Sequence, residues 1–344
     1  MGWKNSPWHE FGLEIQDMSC HWGMPSWLLC IIILVVMMPD FVRGEGGVDL
    51  AESAKTLLEG GRARQKKIIR SRPMAIPLSE DTKLLLVKVK GGNFMMGPKD
   101  NFFSRQVTIS HDFWISRYEI TSKQYEIVMS TGSKWINDKN AEFPKVKVEC
   151  RQAKEFCDRL TEKFRKLKLL PEGYYFSLPT EAQWEYAAGG GQYRSGLRYS
   201  GSDNIDSVAW YGKNSKGGPQ KVGLKEPNEL GIYDMSGNVA EWCLDSFKKE
   251  YDKNDVIDPF VSSTIYRRTR VCRGGSWNST QAEMCGVVAR DHNNPEDYYG
   301  DIGFRIVLVY DKTSKEKDLS AKQWTERMDK IGKWKISDLF NNKK

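Results

Sequence analysis

Apolar positions along the chain change period several times, and each change marks an element. Lys83-Leu-Leu-Leu-Val-Lys-Val-Lys90 ends in alternation and stops at Gly91-Gly92, which predicts a strand and a turn. Gln106-Val-Thr-Ile-Ser110 alternates again, and the segment from Trp114 runs to Thr121, a residue suited to cap a following helix. Val148, Ala153, Phe156, Cys157, Leu160 and Phe164 form the clearest helical stripe, which Pro171-Glu-Gly173 ends. A third helix is expected after Thr180, whose capping box with Gln183 precedes Trp184, Ala187 and Ala188. From Gly189 to Asn228 the chain turns to Gly, Ser, Asn and Asp without a regular period. Tyr199, Trp210, Tyr211 and Val208-Ala209 give that stretch apolar anchors, so it reads as an ordered functional loop. The local reading thus gives three helices, short strands and long loops.

The ends of the chain have a different texture. Trp27 to Met38 is a run of twelve apolar residues, too short to span a bilayer comfortably and suited to the core of a signal peptide, with Val42 and Gly44 placed for cleavage before Glu45. Residues 1–44 are therefore read as a signal peptide region, with an uncleaved membrane anchor as the alternative, and the protein as secreted or periplasmic. Residues 45–83 read as a linker containing the basic run Arg62 to Arg72, 84–310 as one domain, and 311–344 as a basic tail. In that tail Trp324, Met328 and Ile331 fall at helical spacing. Outside the domain the two basic segments concentrate the net charge of +7; neither carries a nucleic-acid motif, so no nucleic-acid partner is expected.

Of the seven cysteines, five follow the expected cleavage point: Cys150, Cys157, Cys243, Cys272 and Cys285. An odd number leaves at least one thiol free, and without a Cys-x-x-Cys pair a tetrathiolate zinc site is excluded. Most of the Trp side chains of the domain, Trp114, Trp184, Trp210, Trp242 and Trp277 among them, are expected in the core. Asn278-Ser-Thr280 matches an N-glycosylation acceptor.

Candidate chemistry gathers near the end of the domain. Asp234 and Glu241 bracket a Ser-Gly-Asn turn, an arrangement that can offer carboxylate and carbonyl oxygens to a hard cation such as calcium; an Asx turn without metal is the plainer alternative. Four stretches in order, Gly91-Gly-Asn-Phe-Met-Met-Gly97, Leu178-Pro-Thr-Glu-Ala-Gln-Trp-Glu-Tyr186, Gly231 to Cys243, and Arg273-Gly-Gly-Ser-Trp277 with Gly303-Phe-Arg305, resemble the formylglycine-generating enzymes, or sulfatase-modifying factors. The resemblance covers roughly residues 84–310. It implies a duplicated C-type lectin-like α+β fold, poor in regular structure. It also implies structural calcium at Asp234, Gly237, Val239 and Glu241, and a substrate groove near Arg273, Ser276, Trp277, Arg290, Asn293 and Arg305.

Enzymes of that family oxidise a substrate cysteine through copper held by two cysteines in the loop after the Arg-Gly-Gly-Ser-aromatic motif. Here, counting from Trp277 places that pair at about Ser279 and Met284, counting back from Arg290 places the second at Ala282, and in either register the loop holds Cys285 alone, so copper is not expected. Three classes stay open: a calcium-stabilised binding module for a protein or glycan ligand, an oxidoreductase or protein-modifying enzyme with another metal arrangement around Cys285, Asp291 and His292, and sulfatase modification, which the cysteine pattern disfavours.

Overall fold

In the computed structural model the described residues are 73–98, 104–129, 140–250, 256–262 and 269–311. The expected signal region, the basic run of the linker and the helix expected around Trp324 lie outside them.

Near-continuous apolar runs form a five-stranded antiparallel sheet because both of its faces are buried. Its order is β1 (Met74–Pro77), β2 (Lys83–Val89), β5 (Phe113–Ser116), β12 (Val307–Tyr310) and β6 (Tyr174–Ser177). Leu84, Leu86, Trp114 and Leu308 enter one hydrophobic cluster, while Val87, Val89, Phe113, Ile115, Val307 and Val309 enter a second on the other side. The two-residue period of a strand divides the residues between them in this way. A four-stranded sheet has the order β10 (Arg290–Asn293), β9 (Arg270–Arg273), β7 (Ala240–Ser246), β11 (Ile302–Gly303), and a three-stranded one the order β3 (Gly92–Met96), β4 (Arg105–Ile109), β8 (Val256–Ile257).

The three expected helices are present: α1 (Ser122–Met129), α2 (Cys150–Lys166) and α3 (Glu181–Ala188). Thr180 accepts the Gln183 amide at 3.2 Å while Gln183 accepts the Thr180 amide at 3.0 Å, so the capping box forms as the sequence predicts. Helix α2 buries Phe156 between Tyr125, stacked at 5.9 Å, and Phe304, edge-on at 5.4 Å. The Thr161 hydroxyl donates to the Cys157 carbonyl at 2.9 Å and accepts the Phe176 amide at 2.9 Å, fastening α2 to β6.

Two readings need correction. Residues 74–77, taken from sequence as linker, form β1 and pair with β2 from Met74↔Leu86 to Pro77↔Lys83. Four residues with a terminal proline give too short a pattern to recognise, yet an edge strand tolerates proline at its end. Within Gly189 to Asn228, expected to lack regular elements, lie a 3₁₀ turn at Gly191–Tyr193 and the one-turn helix α4 (Ile205–Val208), started by Asn204 accepting the Asp206 amide at 3.1 Å. Single turns fall below the length at which periodicity is visible. All five cysteines of the domain are buried with free thiols.

Strand β7 also carries Asp245, 3% exposed, which accepts the Glu181 amide at 2.8 Å and the Val261 amide at 2.9 Å. Burial, against those two hydrogen bonds, raises its carboxyl from 3.8 to about 7. Between these values the folded protein holds a proton that the unfolded chain has lost, so this residue's contribution to stability falls as pH rises from about 4 to about 7 and is constant above. Urea melts across that range are expected to show a shallower loss in Asp245→Asn than in the parent protein.

Candidate functional site

The two halves of the site are held by two fully buried arginines, and neither reaches a groove. Arg305, 0% exposed, donates from Nε and Nη2 to the two oxygens of Glu241 at 2.6 Å each, and to the carbonyls of Ser116 and Tyr233 at 3.0 Å each. Glu241 also accepts the Trp184 indole N–H at 2.6 Å. The ring of Trp184 in turn lies under the Arg273 guanidinium, at 5.1 Å. Arg273 donates to Glu185 at 2.5 Å and to the carbonyls of Val287 and Ala289 at 3.0 and 2.7 Å. Sequence reading placed both arginines in the groove; the structure spends their fork geometry on buried carboxylates and carbonyls instead.

The turn between Asp234 and Glu241 packs onto the Gly274-Gly275 turn. Asp234 and Asn238 both have left-handed backbones, φ 57° and 60°, and the Gly237 amide donates to the Gly274 carbonyl at 2.8 Å. Asn238 donates to Glu119 at 2.7 Å, and Glu119 accepts the Val239 amide at 3.0 Å. Gly275 has φ 66°, and a Cβ there would lie 2.7 Å from the Met284 carbonyl and 2.8 Å from the Cys285 sulfur, so only glycine fits.

Three buried carboxylates, Glu119, Asp234 and Glu241, thus surround one guanidinium. Burial, then the charges of Asp234 and Glu241, hold the Glu119 carboxyl well above its ordinary value, and burial lifts Asp234 to about 6. Asp234 accepts the Gly223 amide at 2.7 Å through Oδ2, while its Oδ1 is buried without a hydrogen-bond partner. An orphaned carboxylate oxygen of this kind suits a cation contact. Of the four ligands expected for calcium, Asp234 keeps this one free oxygen, while both oxygens of Glu241 are engaged by Arg305.

A separate cavity of about 380 Å³ opens between the Gly274–Ser279 turn, β10 and Asp301. Of the residues expected in a substrate groove, Ser276, Arg290 and Asn293 line this cavity, together with Asn278, Ser279, Met284, Asp291 and Asp301. Trp277 does not line it; its amide donates to the Asn238 carbonyl at 2.7 Å and its indole to the Gly300 carbonyl at 3.3 Å. Asp301 is the residue that sequence reading missed, although an acidic side chain two positions before Gly303-Phe-Arg305 could have flagged it.

Cys285, Asp291 and His292 are not gathered into one centre. Cys285 packs with Tyr199, Val208 and Tyr211, and burial pushes its thiol up to about 11. The His292 ring lies 4.0 Å from Phe247, and Asp291 accepts the His292 amide at 2.7 Å.

Comparison with known proteins agrees with this architecture. A family described as the sulfatase-modifying factor enzyme 1-like domain matches residues 77–309. The chain belongs to this family. Within it, the chain is 33% identical to a protein of Paenibacillus barcinonensis described as the chaperone protein LppX, over 57% of this chain and 79% of that one. It is 34% identical to the formylglycine-generating enzyme of Streptomyces coelicolor, over 40% of this chain but only 48% of that enzyme. Among solved structures, Treponema denticola variable protein 1 matches at 26% identity and TM-score 0.58, over 69% of this chain and 98% of that one. PvdO from Pseudomonas aeruginosa matches at 24% and 0.55, over 69% and 99%. The fold is thus the C-type lectin-like α+β fold of the formylglycine-generating type.

Leaving either member of the Glu241–Arg305 pair alone in the interior costs more than replacing both. Glu241→Gln and Arg305→Met are each expected to destabilise the domain by about 3–5 kcal/mol, with the double variant losing less than the sum of the two. Denaturant melts of the three variants measure this.

Proposed function

We propose that the domain is a calcium-stabilised binding module of a secreted or periplasmic protein, which holds an extended segment of a protein partner in the cavity beneath Gly274–Ser279. The observation that carries this reading is the pair of side chains on the cavity wall. Ser279 and Met284 stand where counting from Trp277 puts the two copper-binding cysteines that the resemblance implies, and both line the cavity. A hydroxyl is not a soft ligand, so the Met284 thioether is left without a second sulfur to match the two thiolates that hold Cu(I) in the family. The neighbouring Cys285 is buried, and its raised thiol disfavours the thiolate that metal binding needs. The chaperone description of the Paenibacillus relative, of which this chain covers 79%, favours a polypeptide over a glycan as the ligand. Secretion rests on the apolar run from Trp27 to Met38.

Calcium enters this reading at Asp234, with the carbonyls of Gly237 and Val239, while Glu241 stays with Arg305. The ion would neutralise a buried carboxylate and stiffen the turn that supports the cavity floor. Calcium at about 100 times its Kd is expected to stabilise the domain by about 2.7 kcal/mol. The gain should disappear with chelator and in Asp234→Ala; a melting temperature unmoved by chelator would remove calcium from this account.

Copper-loaded protein incubated under oxygen with a Cys-x-Pro-x-Arg peptide is expected to leave the peptide mass unchanged. Conversion to formylglycine at a rate that vanishes in Cys285→Ser would show that one thiol suffices and that the groove is catalytic.

A further inference from the structure

The charge balance of the cavity wall says what kind of side chain the groove accepts. Arg290 is its one basic lining residue, and its guanidinium is already engaged: Nε and Nη2 donate to the two oxygens of Glu181 at 2.6 and 2.8 Å, and Nη1 donates to the Lys249 carbonyl at 3.1 Å. Against it stand two carboxylates. Asp301 receives the Ser276 hydroxyl on Oδ2 at 2.9 Å, and Asp291 receives the His292 amide on Oδ1 at 2.7 Å. Among the described residues neither forms an ion pair, so each keeps an oxygen without a cationic partner. Their field is felt inside the protein, because Asp291 and Asp301 add to burial in pushing the Cys272 thiol on the cavity wall upward.

Size and the remaining wall narrow the ligand further. About 380 Å³ is too large for a bare ion and falls at the lower end of cavities that take organic groups. Asn278 and Asn293 supply neutral polar groups, and Met284, 45% exposed, supplies an apolar edge. An apolar stem ending in a charged head matches such a wall, since long basic side chains lay their methylenes on apolar surface while the head keeps polar contacts. A concave, acidic site also concentrates cations through its field.

We propose that the cavity is a subsite for a lysine or arginine side chain of the bound polypeptide, with Asp301 and Asp291 receiving the cationic head and Met284 covering the stem. This deepens the binding-module reading and rests on it. Asp301 is the anchoring residue because the Ser276 hydroxyl fixes its orientation. Asp291, at the exposed edge of β10, adds long-range attraction.

The test uses the full chain and three blocked peptides that differ only at a central lysine, arginine or norleucine, with binding followed by calorimetry. Lysine and arginine peptides are expected to bind at least about tenfold more tightly than the norleucine peptide, with the difference shrinking as salt rises. Asp301→Asn keeps an acceptor for Ser276 and is expected to melt like the parent while losing most of that preference. Asp291→Asn should lose a smaller share. Equal affinity for the norleucine peptide, or a preference that survives in the Asp301→Asn, Asp291→Asn double variant, would overturn the charge assignment and leave the binding reading standing. No binding by any of the three peptides would overturn both.

Discussion

The buried pair of Glu241 and Arg305 is the constraint on which the rest of this domain depends. Desolvating two charges is expensive, and mutual attraction repays it only when geometry is good and the remaining hydrogen-bonding capacity is used. Both conditions hold here. The guanidinium is matched to both carboxylate oxygens and to two carbonyls, one at the end of β5 and one just before the Asp234 turn. Trp184 from α3 completes Glu241. One ion pair therefore ties a strand, a helix and the turn to the segment Phe304–Ile306.

Above this centre the chain has little regular structure, and turns held by backbone hydrogen bonds do the positioning. The Gly237 amide meets the Gly274 carbonyl, and the Trp277 amide meets the Asn238 carbonyl, so the two glycine-rich segments form a single double turn. Loops can carry function when a rigid scaffold holds them, and here the scaffold is the buried charge network. Arg273 closes the opposite side through Glu185 and the carbonyls of Val287 and Ala289.

The groove is where the proposed binding function departs from copper oxidation. Within the shared frame, the two wall positions carry a hydroxyl and a thioether, while the nearby thiol is turned into an aromatic cluster with Tyr199 and Tyr211. A cavity and frame without a pair of thiolates can still hold a ligand, and the proposed binding function rests on that. With Arg290 already engaged by Glu181, the cavity's two carboxylates are what the proposed lysine or arginine subsite rests on.

Local patterns determined much of this by themselves. The capping box at Thr180, the apolar stripe of α2 and the alternating strands around Val87 and Val107 are near-neighbour effects, readable wherever enough residues repeat. The ordered motifs likewise placed the Asp234 turn and the missing thiol pair. Elements of four residues or fewer, such as β1 and α4, were too short to show a period. Charge pairing was the larger gap: Arg273 and Arg305 sit in motifs beside the groove, and nothing local distinguishes an arginine facing ligand from one facing a buried glutamate. Glu241 is 64 residues from Arg305, and Glu185 is 88 from Arg273. Only the tertiary structure brings those partners together, because the energy of a buried charge depends on what surrounds it in space and not on its neighbours in sequence.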